Sequence, residues 1–175
     1  MCAICNFKIE FGVGHPLALS VALATRKAIE AGLVEPLDVA EGALSSARMR
    51  MSSVESLNLL QARIEGAHSE NELLALPDFY VFLIENDTWG FFHATTEGFD
   101  PDIVPEIPDV TSDDPTQRSN ILVTSEAGLR AWLNGRLNAG IALRDLLAYV
   151  DAPEPSKTAL VKMFLRAEVV IAEAG

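Results

Sequence analysis

Two thiols stand three residues apart at the front of the chain, Cys2-Ala3-Ile4-Cys5, and they are its only cysteines. Thiolates at this spacing can grip one soft metal ion, but tetrahedral zinc needs two further ligands. His15 follows ten residues after Cys5, across a segment in which Gly12 and Gly14 let the backbone fold back. Because Pro16 succeeds it, His15 is held extended just ahead of a helix start, where an imidazolium is disfavoured and a neutral ring suits a metal. Cys2, Cys5 and His15 are therefore the candidate ligands for zinc or iron, with His93 or His68 available as a fourth. A dimer sharing two Cys pairs is the other route to four ligands, and an iron–sulfur cluster would need it. A redox role lacks the helix N-terminus that lowers a thiol's pKa, since Asn6 to Phe11 alternates apolar and polar residues like a short strand. Two reduced thiols tucked under Phe7 or Phe11 are the plain alternative.

Other chemistry is thinner. No Ser or Cys stands in a triad arrangement with a His, and Gly12-Val13-Gly14-His15-Pro16 lacks the lysine of a phosphate loop, so no residue set for an enzyme can be named. With 25 carboxylates against 13 Lys and Arg, the net charge of −12 argues against a nucleic-acid binder and against docking on an anionic membrane. The charge is concentrated. Between residues 69 and 120, twelve carboxylates face one base, Arg118, and Glu97 to Asp114 holds seven acids with Pro101, Pro105 and Pro108 among them. Such a stretch repels itself and reads as an exposed extended loop: a solubility loop, a lid, or a docking strip for a basic partner. Its acids lack the spacing of a calcium loop. The most apolar stretch, Pro16 to Ala24, is too short to span a bilayer, and Met1 to Lys8 lacks the basic-then-apolar pattern of a secretory leader. Two cysteines make no disulfide framework, so a cytoplasmic protein is expected.

These residues must be positioned by elements that the pattern predicts. Pro16 and Gly32 bracket a buried helix over Leu17 to Ala31, the surface that self-association or a protein partner would use. Pro36 opens a second helix with Ala43, Leu44 and Ala47 on one face. Ser52 and Glu55 form a capping box before a third, carrying Val54, Leu57, Leu60 and Ile64 and ended by Gly66. After Pro77, Phe79 to Ile84 and Thr88 to Thr95 form a hairpin about Glu85-Asn86-Asp87, with Trp89, Phe91 and His93 on one face. Ile121 to Thr124 is a strand, and Ser125 caps a helix stopped by Gly135. Ala139 to Arg144 is a short helix and Leu146 to Val150 a strand. Ser156 caps the last helix, with Leu160, Val161, Phe164 and Leu165 inward. The fold class is α+β: a small, mostly antiparallel sheet covered by helices on one side. An N-terminal helical extension, 1–51, carries the thiol pair, and 52–175 forms the main domain.

The stretch Leu122 to Ala152 resembles the sterol-carrier-protein-2-like family, whose strand, capped helix, Gly-basic-apolar-Asn turn, short helix and strand are matched here. The matching residues are Leu122-Val123-Thr124, Ser125 to Asn134, Gly135-Arg136-Leu137-Asn138, Ile141-Ala142-Leu143 and Leu147 to Val150. With the upstream helix and hairpin in the family's order, the resemblance extends from Ser52 to about Ala172. The chain departs from the family in three places: the acidic loop stands where a central strand is expected, the Gly expected before the later strand is absent, with Asp145 or Leu146 nearby, and the turn Gly expected after it is replaced by Ala152-Pro153. The resemblance implies a non-enzymatic protein that binds an apolar or lipid-like small molecule in a tunnel between sheet and helices. The candidate lining is Phe82, Ile84, Trp89, Phe91, Leu129, Trp132, Leu133, Ile141, Leu143, Leu160 and Phe164; an ordinary filled core is the competing reading.

Overall fold

The computed structural model describes residues 8–9, 12–38 and 41–173, and the side chains of 12–38 and 41–168. Cys2 and Cys5 lie outside the described residues. Helix α1 runs Ala18–Glu30, and Gly32 takes the left-handed conformation (φ 74°) just past its end. Val21, Thr25 and Ala28 form its inward stripe, while Leu19 and Leu23 are 70% and 52% exposed, so this helix is buried along one face and not all round. No helix opens at Pro36. Residues 33–38 run as an irregular strap, and α2 begins at Ser45 and continues unbroken to Ala67 (Ser45–Ala67). The capping box expected at Ser52 and Glu55 therefore falls inside a helix, as does the division expected between 51 and 52. A capping box does form at Ser69 and Glu72, opening the short helix α3 (Glu70–Leu74).

The hairpin stands where the apolar runs place it, as β2 (Phe79–Leu83) and β3 (Thr88–Phe92), with β1 (Lys8–Ile9) on the outer edge of β3. The short pair β4 (Ala94–Thr95) and β5 (Gly98–Phe99) follows. Then come β6 (Ile121–Thr124), α4 (Glu126–Leu133), α5 (Ala139–Arg144), β7 (Ala148–Asp151) and α6 (Ser156–Glu173). The main sheet has the order β1-β3-β2-β6-β7, and its one parallel pairing is β2 with β6, Tyr80 opposite Ile121. The chain is α+β.

Strand alternation sorts the apolar residues into two cores. Phe79, Val81, Leu83, Phe92, Leu122 and Val150 face α2, α4 and α6, meeting Leu57, Leu60 and Ile64 of α2. Gly90 lets α2 approach, because a Cβ there would stand 3.2 Å from a Leu57 methyl group. Tyr80, Phe82, Trp89, Phe91, Ile121 and Val123 face the other way, in a cluster to which α2, α4 and α6 contribute no buried residue. Their cover is Val21 of α1 together with the acidic segment, through Val110 and Ile103. That segment is extended, as its prolines require, but it is pinned. Val110 is buried, the Tyr80 hydroxyl donates to the Glu106 carbonyl (2.8 Å), and Ser119 N–H donates to the Asp109 carbonyl (3.0 Å).

Candidate functional site

The apolar residues expected to line one tunnel are divided by the sheet. Phe82, Trp89 and Phe91, with Ile84 against them, belong to the core under α1; Leu129, Trp132, Leu133, Leu160 and Phe164, with Leu143 against them, belong to the opposite core. Ile141 is 36% exposed. Phe82 stacks on Trp89 with ring centroids 4.3 Å apart, and Trp132 packs on Phe164 at 4.5 Å. The reason is geometric: Phe82 and Trp89 are cross-strand partners and share a face, whereas α4 and α6 pack on the other. Trp132 Nε1–H is buried without an acceptor, with the Arg63 guanidinium 5.8 Å from its ring.

The three histidines stand apart. His15 is buried, and both of its ring nitrogens are engaged: Leu17 N–H donates to Nδ1 (3.1 Å), so Nε2 carries the proton and donates to Asp151 Oδ2 (2.9 Å). Arg118 Nη2 donates to the same oxygen (2.8 Å). This arrangement ties the segment before α1, the end of the acidic loop and β7 together. Burial holds the imidazole below its usual value, Asp151 opposing. His15 is neutral here, as its position predicts, but its lone pair serves the helix start rather than a metal. His93 bonds Asp78 (2.8 Å) and His68 the Ile64 carbonyl (2.8 Å). Among the described residues no group of three His, Cys, Asp or Glu is placed to hold a metal ion.

The chemistry that the structure does assemble lies at the carboxyl ends of the parallel pair, β2 and β6. Glu126, first residue of α4, is 2% exposed. Its Oε1 accepts from the Ser52 hydroxyl, from Ser56 Oγ (3.2 Å) and from Arg130 Nε (3.1 Å); its Oε2 accepts from Ser53 Oγ (2.7 Å). Asn86 Nδ2 donates to Ser53 (2.9 Å), linking the hairpin turn to the set. A carboxylate in such a place is tolerable only when its oxygens are fully served. Beside it, Glu85 receives the amide N–H groups of Glu126 on Oε2 (2.7 Å) and Ala127 on Oε1 (3.1 Å), while Ser125 Oγ receives Gly128 N–H (2.9 Å). The first turn of α4 is thereby satisfied by two side chains. Glu85 is solvent-exposed at its turn, yet its carboxyl is crowded by protein atoms, and that loss of water raises its pKa above the usual value despite three backbone amides, its own among them.

Three depressions surround this point, and Leu37 of the strap borders all of them. An open groove of about 400 Å³ has walls from Ala22 and Ile29 of α1, Pro36 and Leu37 of the strap, Ile84 and Ala127, with Glu85 on its floor. A second, of about 320 Å³, also reaches Glu85 and is bordered by Asp38, Arg48, Met49, Ser52, Asn86 and Glu126. A third, of about 200 Å³, lies between the strap and the far side of α4. Ser52, Ser53, Ser56, Glu85 and Glu126 were not legible as a site. The available signal was two serines, 53 and 56, on the same helical stripe as Leu57, Leu60 and Ile64.

Fold and site together define an α+β domain with an open groove at the ends of two parallel strands and a fully bonded carboxylate beneath it. Compared with known proteins, the chain matches no family model, no curated protein and no solved structure. Among the described residues no helix is long and apolar enough to cross a membrane.

Proposed function

We propose that this chain is a non-enzymatic binding protein for a small apolar molecule, held in the groove over the carboxyl ends of β2 and β6. The observation that carries this reading is the groove itself: its apolar walls come from α1, the strap, the hairpin and α4, and its volume lies in the range of small-molecule sites. The sterol-carrier-like resemblance points to the same class of ligand, although its tunnel would lie elsewhere. At Leu146, near the Gly that the family carries before its later strand, the backbone is left-handed (φ 58°), the conformation glycine serves best.

The test uses the neutral fluorophore N-phenyl-1-naphthylamine, whose emission rises in apolar surroundings. Wild type is expected to bind it saturably. Ala22→Trp, at an exposed position of α1 that borders the groove, fills the space and should weaken binding at least about tenfold with an unchanged melting temperature. Absence of saturable binding, or equal binding by the variant, overturns the proposal.

A further inference from the structure

We infer that the ligand's polar end is a cationic hydrogen-bond donor, an ammonium or guanidinium group on an apolar body, seated against the Glu85 carboxylate. This deepens the groove reading and rests on it. Glu85 is where the apolar groove and the second depression meet; the groove's other polar borders are Thr25 and Ser125, bonded to each other, and the Arg26–Glu30 pair.

The two carboxylates at this junction differ in what they have left to offer. Glu126 takes three donors on Oε1 and one on Oε2, and it is sealed from solvent. Glu85 takes the Glu126 amide on one oxygen and the Ala127 amide on the other, with its own backbone amide also directed at the carboxylate, and two oxygens offer about four lone-pair positions. It is also exposed. A ligand donor can therefore approach Glu85, whereas burial keeps it from Glu126. The neighbouring charges favour the same sign of ligand. Asp38 borders the second depression with Glu85 and Glu126, against Arg48. The other nearby cations are engaged: Arg130 with Glu126 and Ser52, Arg26 with Glu30, and Arg136 with Glu35. An acyl carboxylate would add a like charge beside Asp38 and Glu85, the least favourable head group for this site. An ammonium brings three donors and relieves the crowding of negative charge.

The experiment displaces N-phenyl-1-naphthylamine with three probes of one chain length, decylammonium, decanol and decanoate, near neutral pH and at physiological salt. Decylammonium is expected to compete at a concentration at least about tenfold lower than decanoate, with decanol between them. Glu85→Gln should shrink that ratio to about twofold or less, and Asp38→Asn, at an exposed position, should reduce it in the same direction. Glu97→Gln removes one charge from the remote acidic loop and should leave the ratio unchanged. If the fluorophore binds but decanoate competes as well as decylammonium, or none of the three competes, the inference is overturned while the groove reading stands. An equal loss in Glu97→Gln also overturns it, since the preference would then come from net charge alone. Failure of the fluorophore to bind removes both.

Discussion

Glu126 shows how a single residue can be both a liability and an anchor. Its carboxylate is withdrawn from water, and four donors from α2 and α4 make that placement tolerable. Removing the anion would leave three hydroxyls and a guanidinium facing one another, so Glu126→Ala is expected to cost about 3 kcal/mol in urea unfolding. Ser53→Ala strips Oε2 of its hydroxyl donor and should cost about 1.5 kcal/mol. Because both substitutions act on one network, their sum should exceed the double mutant's loss, and additivity would count against the network. His15 makes a prediction of opposite chemical character. Its pKa is lowered mainly by burial, so as pH falls the unfolded chain takes up the proton before the folded one does. The stabilisation is complete above about pH 6.5, the unfolded imidazole value, and drains away below it toward the lower folded value. Urea midpoints at neutral and mildly acidic pH should fall more for wild type than for His15→Gln; parallel slopes would contradict this assignment.

Among the elements, α2 and the turn before β7 are the most instructive. The strands β2, β3, β6 and β7, the Ser125 cap and the Ala139–Arg144 helix were legible because each is written in a few adjacent residues, whereas the short β4–β5 pair was not. Helix α2 was not. Ser52 and Glu55 have capping-box spacing, and serines at 53 and 56 interrupt the apolar stripe, so local pattern ends one helix and starts another. Their partner, Glu126, stands some seventy residues downstream, and only the tertiary structure reveals why a continuous helix carries polar residues inward. The candidate site was hidden for the same reason. The tunnel lining was chosen by residue type, but the sheet separates those residues into two cores, a partition that needs the strand order to be known. At the turn after α5, Leu146 is left-handed and 42% exposed, so it bears a steric cost with limited burial in return. Leu146→Gly should stabilise the chain by about 1 kcal/mol, raising Tm by about 2–4 °C. Ser125→Ala, which removes the acceptor for Gly128 N–H and for the Thr25 hydroxyl, should cost about 1–2 kcal/mol.

For the molecule as a whole, negative charge and topology set the behaviour. The acidic segment lies fixed on the sheet instead of drifting free, so its carboxylates repel one another at short range in the folded state. Raising ionic strength from low to physiological should therefore raise Tm by about 2 °C or more, and a flat or falling salt dependence by calorimetry would show that screening of pairs such as Arg118–Asp151 dominates. The parallel pairing of β2 with β6 has a consequence of another kind. Tyr80 meets Ile121 across about forty residues of intervening chain, so the inner edge of β2 gains its neighbour late in any N-to-C order of assembly. On a ribosome adding about 5–20 residues per second, Phe79 to Leu83 waits about 2–8 s for Ile121 to Thr124 to be made. During that interval a five-residue aromatic and aliphatic ribbon has open backbone donors and acceptors on one side, the condition in which strands recruit the wrong chain. Yield of folded chain in cell-free synthesis should then rise when a holdase chaperone that shields nascent apolar strands is present, and no change on its addition would contradict this.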